Sequence, residues 1–65
     1  MYKYFISFNV LQDSGQRNLG FGNCDITREQ KIEGIEQVTE IAEQIARENN
    51  LEPGSVTILY FNLFD

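Results

Sequence analysis

Three groups of residues have the types and spacing that chemistry requires, and each has a plainer use. Cys24 is the one thiol in the sequence. A reactive thiolate needs an electropositive, partly exposed setting. No basic cluster surrounds Cys24, and strand alternation through Cys24 and Ile26 points it at a core, so it reads as a buried structural thiol. Gly20-Phe21-Gly22-Asn23 superficially has the look of a phosphate-binding loop. Such loops open directly onto a helix N-terminus, where backbone N–H groups meet the anion. Here the helical pattern begins many residues later, so the glycines read as a twisted or bulged strand entry. Glu33, Glu36, Glu40 and Glu43 form a stripe at helical spacing. Hard cations need oxygens converging from several directions, and a catalytic carboxylate needs a pocket that shifts its pKa. One helix face supplies neither, which leaves a solvated surface or an acidic interaction surface.

The chain has no His and no Trp. Ser–His and Cys–His nucleophilic pairs and His-based zinc sites are therefore excluded. We expect no catalytic residues, no metal, no cofactor and no enzymatic activity.

The elements that would position these residues follow from periodicity. Residues 2–11 alternate, with Tyr2, Tyr4, Ile6, Phe8 and Val10 on one face and Lys3, Phe5, Ser7, Asn9 and Leu11 on the other. Such alternation predicts a strand. Residues 12–18 have loop composition, with Gly15 free to take positive φ. A second, glycine-weakened strand is expected from about Leu19 to Thr27. Ile35, Val38, Ile41, Ala42, Ile45 and Ala46 recur at helical spacing. Thr27-Arg28-Glu29-Gln30 matches a capping box, but that start would put Gly34 inside the helix at a cost of about 1 kcal/mol. The two starts, near Thr27 and near Gly34, compete, and the later one is preferred. Asn49-Asn50 should end the helix, Glu52-Pro53-Gly54-Ser55 should make a type II turn, and Val56–Phe64 should be the last strand.

A hairpin, a crossover helix and a third strand make a two-layer β-β-α-β α+β fold. One domain over residues 1–65 accounts for the whole length. The first strand, being more apolar than the second, should lie centrally and give an antiparallel sheet of order 2-1-3. The helix would face Tyr4, Ile6, Phe8, Val10, Cys24, Ile26, Leu59, Phe61 and Leu63. The other face would carry Phe5, Ser7, Asn9, Phe21, Asn23, Asp25, Ile58, Tyr60 and Asn62.

Ten acids against five bases give a net charge of −5. Acidic proteins repel phosphate backbones, so no nucleic-acid partner is expected. The N-terminal apolar run is too short to span a membrane, and one cysteine allows no intramolecular disulfide. Both point to a cytoplasmic protein without a membrane partner.

Tyr4-Phe5-Ile6-Ser7, Gly20-Phe21-Gly22-Asn23, the Glu-rich helix from Ile35 and Val56-Thr57-Ile58-Leu59 together resemble small open reading frames carried by phages and mobile elements of Gram-positive bacteria. The resemblance spans nearly the whole chain through short motifs. It implies a β-β-α-β domain and a cytoplasmic location, and it brings no activity or site residues.

One helix can cover only one side of the sheet, so the other side is the candidate contact surface. Phe5, Phe21, Tyr60 and Asn62 are its candidate residues, for a protein partner or for self-association. The leading expectation is a non-enzymatic protein-interaction module. The alternative is an acidic inhibitor of a nucleic-acid-binding host protein, with Glu33, Glu36, Glu40 and Glu43 imitating phosphates.

Overall fold

The computed structural model describes residues 1–64. It contains β1 (Tyr2–Gln12), β2 (Arg17–Arg28), α1 (Ile35–Glu48) and β3 (Val56–Leu63). The sheet is open and antiparallel in the order β2-β1-β3. Alternation sends Tyr4, Ile6 and Val10 of β1 to one face, where they are buried with Ile26 of β2 and Val56 of β3. The α1 helix closes this layer with Ile41, Ile45 and Ala46. Each fully buried aliphatic side chain here contributes about 1.5–3 kcal/mol. Ile6 and Ile41, the two most deeply buried, are therefore the centre of the fold.

The helix starts at Ile35, with Gly34 as an N-cap that offers no side-chain bond. Thr27 and Arg28 belong to β2, so the capping-box spacing there has no helix to cap. At the other end Asn50 takes φ +56°. The Asn50 N–H donates to the Arg47 carbonyl and the Leu51 N–H to the Ala46 carbonyl. This is the left-handed Schellman ending that asparagine tolerates. The expected type II turn follows, with Gly54 at φ +77° and the Ser55 N–H donating to the Glu52 carbonyl.

Both edge strands are bulged. In β2, Val10 pairs with Gly20 but Leu11 pairs with Asn18, so Leu19 is an extra residue. Gly20 takes φ +106° beside it, the conformation a bulge of this kind requires. In β3, Ser7 pairs with Tyr60 but Phe8 pairs with Ile58, so Leu59 is extra. This second bulge corrects the strict alternation expected for β3. Ile58, expected on the outer face, packs against the core. Leu59, expected to face the helix within the core, is 52% exposed. One inserted residue shifts the phase of everything before it. Ile35 also departs from its expected place on the packed helix face. As the first helical residue it stays 74% exposed.

Candidate functional site

The face of the sheet away from α1 is built in rungs across the strands. Asp25, Phe5 and Asn62 share one rung, Asn23, Ser7 and Tyr60 the next, and Phe21, Asn9 and Thr57 a third. Phe5 lies on the central strand and is half-buried, whereas Tyr60 is 56% exposed. Their ring centroids are 6.3 Å apart, and Phe5 meets Phe64 edge-on at 6.5 Å. The Phe64 N–H donates to the Lys3 carbonyl at 2.8 Å, which extends the β1–β3 pairing past the last strand residue. The Lys3 ammonium lies 6.0 Å from the Phe64 ring centroid and 3.3 Å from the Asp25 carboxylate. The result is an aromatic cluster of Phe5, Tyr60 and Phe64 with a charged rim.

The structure thus brings together Phe5, Tyr60 and Asn62 among the expected contact residues and sets Phe21 apart. Phe21 stands four residues along the ladder from the Phe5 rung, about 13 Å at the rise of an antiparallel strand. Phe64 was not among the expected residues. Its parity with Tyr60 and Asn62 in a strand read to residue 64 is the signal that could have found it.

A second apolar feature borders this face. Ile35, Val38, Ile58, Leu59, Tyr60 and Phe61 line a shallow groove of about 320 Å³ between α1 and β3. Phe61 sits on the helix side, 6.1 Å edge-on from Tyr4, and remains 39% exposed. The residues of β3 carry no charge.

The hydrogen-bonding pattern of β3 tells which of its backbone groups are free. In an antiparallel ladder, residues that exchange bonds with their neighbour alternate with residues whose N–H and C=O point the other way. Phe64 bonds to Lys3 of β1, so Asn62 and Tyr60 also turn their backbone groups inward. Phe61 and Leu63 turn theirs outward, toward the open edge.

The acidic residues do not converge. Glu33 precedes the helix, and Glu36, Glu40 and Glu43 are exposed along it. Glu40 accepts a 3.3 Å contact from the Arg28 guanidinium at the end of β2. Glu40 therefore leans toward β2, whereas Glu43 borders Leu51 and Pro53 and Glu33 borders Ile35 and Phe61; Ile35, Val38 and Thr39 form the flank toward β3. Among the described residues, no three His, Cys, Asp or Glu side chains are grouped to hold a metal ion. No described helix is long and apolar enough to cross a membrane.

The two glycines of Gly20-Phe21-Gly22 have structural uses. Gly20 supplies the positive φ of the bulge, and Gly22 lies under the Phe8 ring. A Cβ on Gly22 would stand 2.7 Å from Phe8 Cζ. Cys24 is half-buried rather than fully buried, and it packs against the core from the helix side of β2. Burial raises its thiol pKa above the ordinary value, and the neighbouring carboxylates of Asp25 and then Glu48 add to the rise. The thiol form is thereby favoured over the thiolate. No known protein family matches the chain, and neither a curated protein nor a solved structure matches it.

Proposed function

We propose that this chain is a non-enzymatic protein-interaction module of the cytoplasm that meets its partner with the open face of its sheet. The observation that carries this reading is the Phe5–Tyr60–Phe64 cluster, for which the described chain provides no covering layer. Aromatic rings bury large areas on contact and gain about 0.5–1.5 kcal/mol per ring pair beyond that area. The exposed Lys3–Asp25 pair at the rim adds little affinity but orients an approaching surface. The half-buried Cys24 holds its proton more tightly than an ordinary thiol, which disfavours it as a nucleophile.

The test is capture of partners from a host lysate by the wild-type chain and by the Phe5→Ser/Tyr60→Ser double variant. The variant should keep its helical circular-dichroism signal and lose the captured protein. Undiminished capture by the folded variant would remove the sheet face from consideration. Capture that falls steeply with added salt would instead assign the contact to the acidic flank of α1.

A further inference from the structure

We propose that the open edge of β3 is where a second copy of this chain adds. β3 pairs with β3 of the other copy, antiparallel across a two-fold axis at Asn62, and the two sheets become one of six strands. The inference deepens the interaction reading, because it names an occupant for one border of the aromatic face.

Free backbone groups are the first reason. Past the Leu59 bulge, Phe61 and Leu63 turn their N–H and C=O groups to the open edge. With Asn62 on the axis, Phe61 of each copy stands opposite Leu63 of the other, and both residues have the outward groups that such a pair exchanges. An axis at Phe61 would set Leu63 against the bulged Leu59 and break the ladder. The Asn62 register keeps the bulges outside the paired stretch.

Side chains agree with that register. On the open face Asn62 meets its own mate, and two amides can donate to and accept from one another. Tyr60 of each copy then stands opposite Phe64 of the other, an aromatic cross-strand pair. Both clusters already contain these rings, so pairing joins them into one continuous aromatic face. On the helix side Phe61 stands opposite Leu63, and the apolar flank of α1 with Ile35 and Val38 turns toward its counterpart.

Charge is the third reason, since β3 is a segment along which two acidic copies can meet without opposing carboxylates within the strand. A chain of net charge −5 can approach itself only where its acids are absent. The eight residues of β3 carry no charge and Glu40 is held toward β2 by Arg28, so the nearest acid among the described residues is Glu33, at the rim beside Ile35 and Phe61. Covering Ile35, Leu59, Tyr60 and Phe61 in both copies would remove on the order of 1,000 Å² from water, near the lower bound for a specific interface. A weak, reversible dimer is therefore expected.

Asn62→Lys and Asn62→Asp each place like charges on the two-fold axis at an exposed position, so neither should disturb the fold. Sedimentation equilibrium should show the wild type dimerising at high micromolar concentration, with each variant weakened about a hundredfold. An equimolar mixture of the two variants should recover the dimer, because Lys then faces Asp. Amide exchange supplies the second measurement: the Phe61 and Leu63 N–H groups should be protected in the wild type at high concentration and lose that protection on dilution. A wild type monomeric to millimolar concentration overturns the proposal. So does a dimer that survives Asn62→Lys, or one in which Phe61 and Leu63 exchange as freely as in the monomer. Loss of lysate capture by Phe5→Ser/Tyr60→Ser with the dimer intact would leave the sheet-face reading standing separately.

Discussion

The two edges of the sheet solve the same physical problem in opposite ways. Both present unpaired backbone groups, and both are bulged by one residue. The β2 edge is otherwise guarded: Arg17, Asp25 and Arg28 put charges along it, two glycines interrupt it, and Arg28 ties it to Glu40 of the helix. Charges and bulges are devices by which natural sheets discourage strand addition. The β3 edge has the bulge alone. Its eight residues are uncharged, and Leu59, Tyr60 and Phe61 leave large apolar areas in water. A chain that closes one edge and leaves the other open has a direction in which it can grow.

The largest expected effect is one that spares neither edge. Ile41→Asp buries an unpaired carboxylate against Ile6 and Ile45 and should unfold the domain, at a cost above about 4 kcal/mol. Glu40→Gln loses only an exposed contact to Arg28 and should shift stability by no more than about 0.5 kcal/mol. Thermal unfolding followed by circular dichroism checks both. Equal losses would mean that α1 is phased differently from the packing described above.

The next effect separates the edges. Gly22→Val drives a side chain into the Phe8 ring, which must tilt away from the core it half fills. Overpacking of this kind costs about 1–3 kcal/mol, or roughly 4–20 °C in Tm for a domain this small. Leu59→Ser on β3 changes a side chain that already meets water and should cost less than about 0.5 kcal/mol. If Leu59→Ser proves the more damaging of the two, the β3 edge is a structural part of the monomer and not a free surface.

This asymmetry was only partly legible in the sequence. Element order, the central β1, the Asn50 helix ending and the Pro53-Gly54 turn all rest on local rules, and local rules are written in neighbouring residues. The facing of Phe5, Tyr60 and Asn62 also followed from alternation. The Leu59 bulge did not, because Val-Thr-Ile-Leu-Tyr-Phe-Asn-Leu is apolar on both faces and fits either phase. Only the register against β1 decides it. The hairpin shows the same limit. Asp13 and Ser14 join Gly15 at positive φ, and the Asp13 N–H donates to the Glu52 carboxylate from a turn far along the chain. Glu52 in turn donates its N–H to the Gln12 side chain. Such long-range partners hold conformations that the local sequence does not advertise. Phe21 failed to join the aromatic cluster for a related reason, since facing says nothing about distance along the ladder.

The smallest effect probes how tightly the β2 side is sealed. Cys24 sits on the helix side of β2, opposite Ile6, with its thiol pKa raised first by burial and then by Asp25 and Glu48. Alkylation requires the thiolate, so the pH–rate profile of Cys24 with iodoacetamide should be displaced to higher pH than that of the unfolded chain. Thr57→Cys in a Cys24→Ala background puts a thiol on the exposed outer face of β3, where it should react faster at every pH below the ordinary thiol range. The linkage sign follows from the same shift. A thiol whose folded pKa is raised binds its proton more tightly in the folded state, so its contribution is complete below the unfolded pKa. That contribution declines as pH rises through the ordinary thiol range and is lost above the folded pKa. Cys24→Ala should therefore flatten the alkaline fall in stability while leaving the neutral-pH fold intact. Identical alkylation profiles for Cys24 and Thr57→Cys would show that water reaches the β2 flank as freely as β3, and the contrast between the two edges would then rest on charge and the glycines alone.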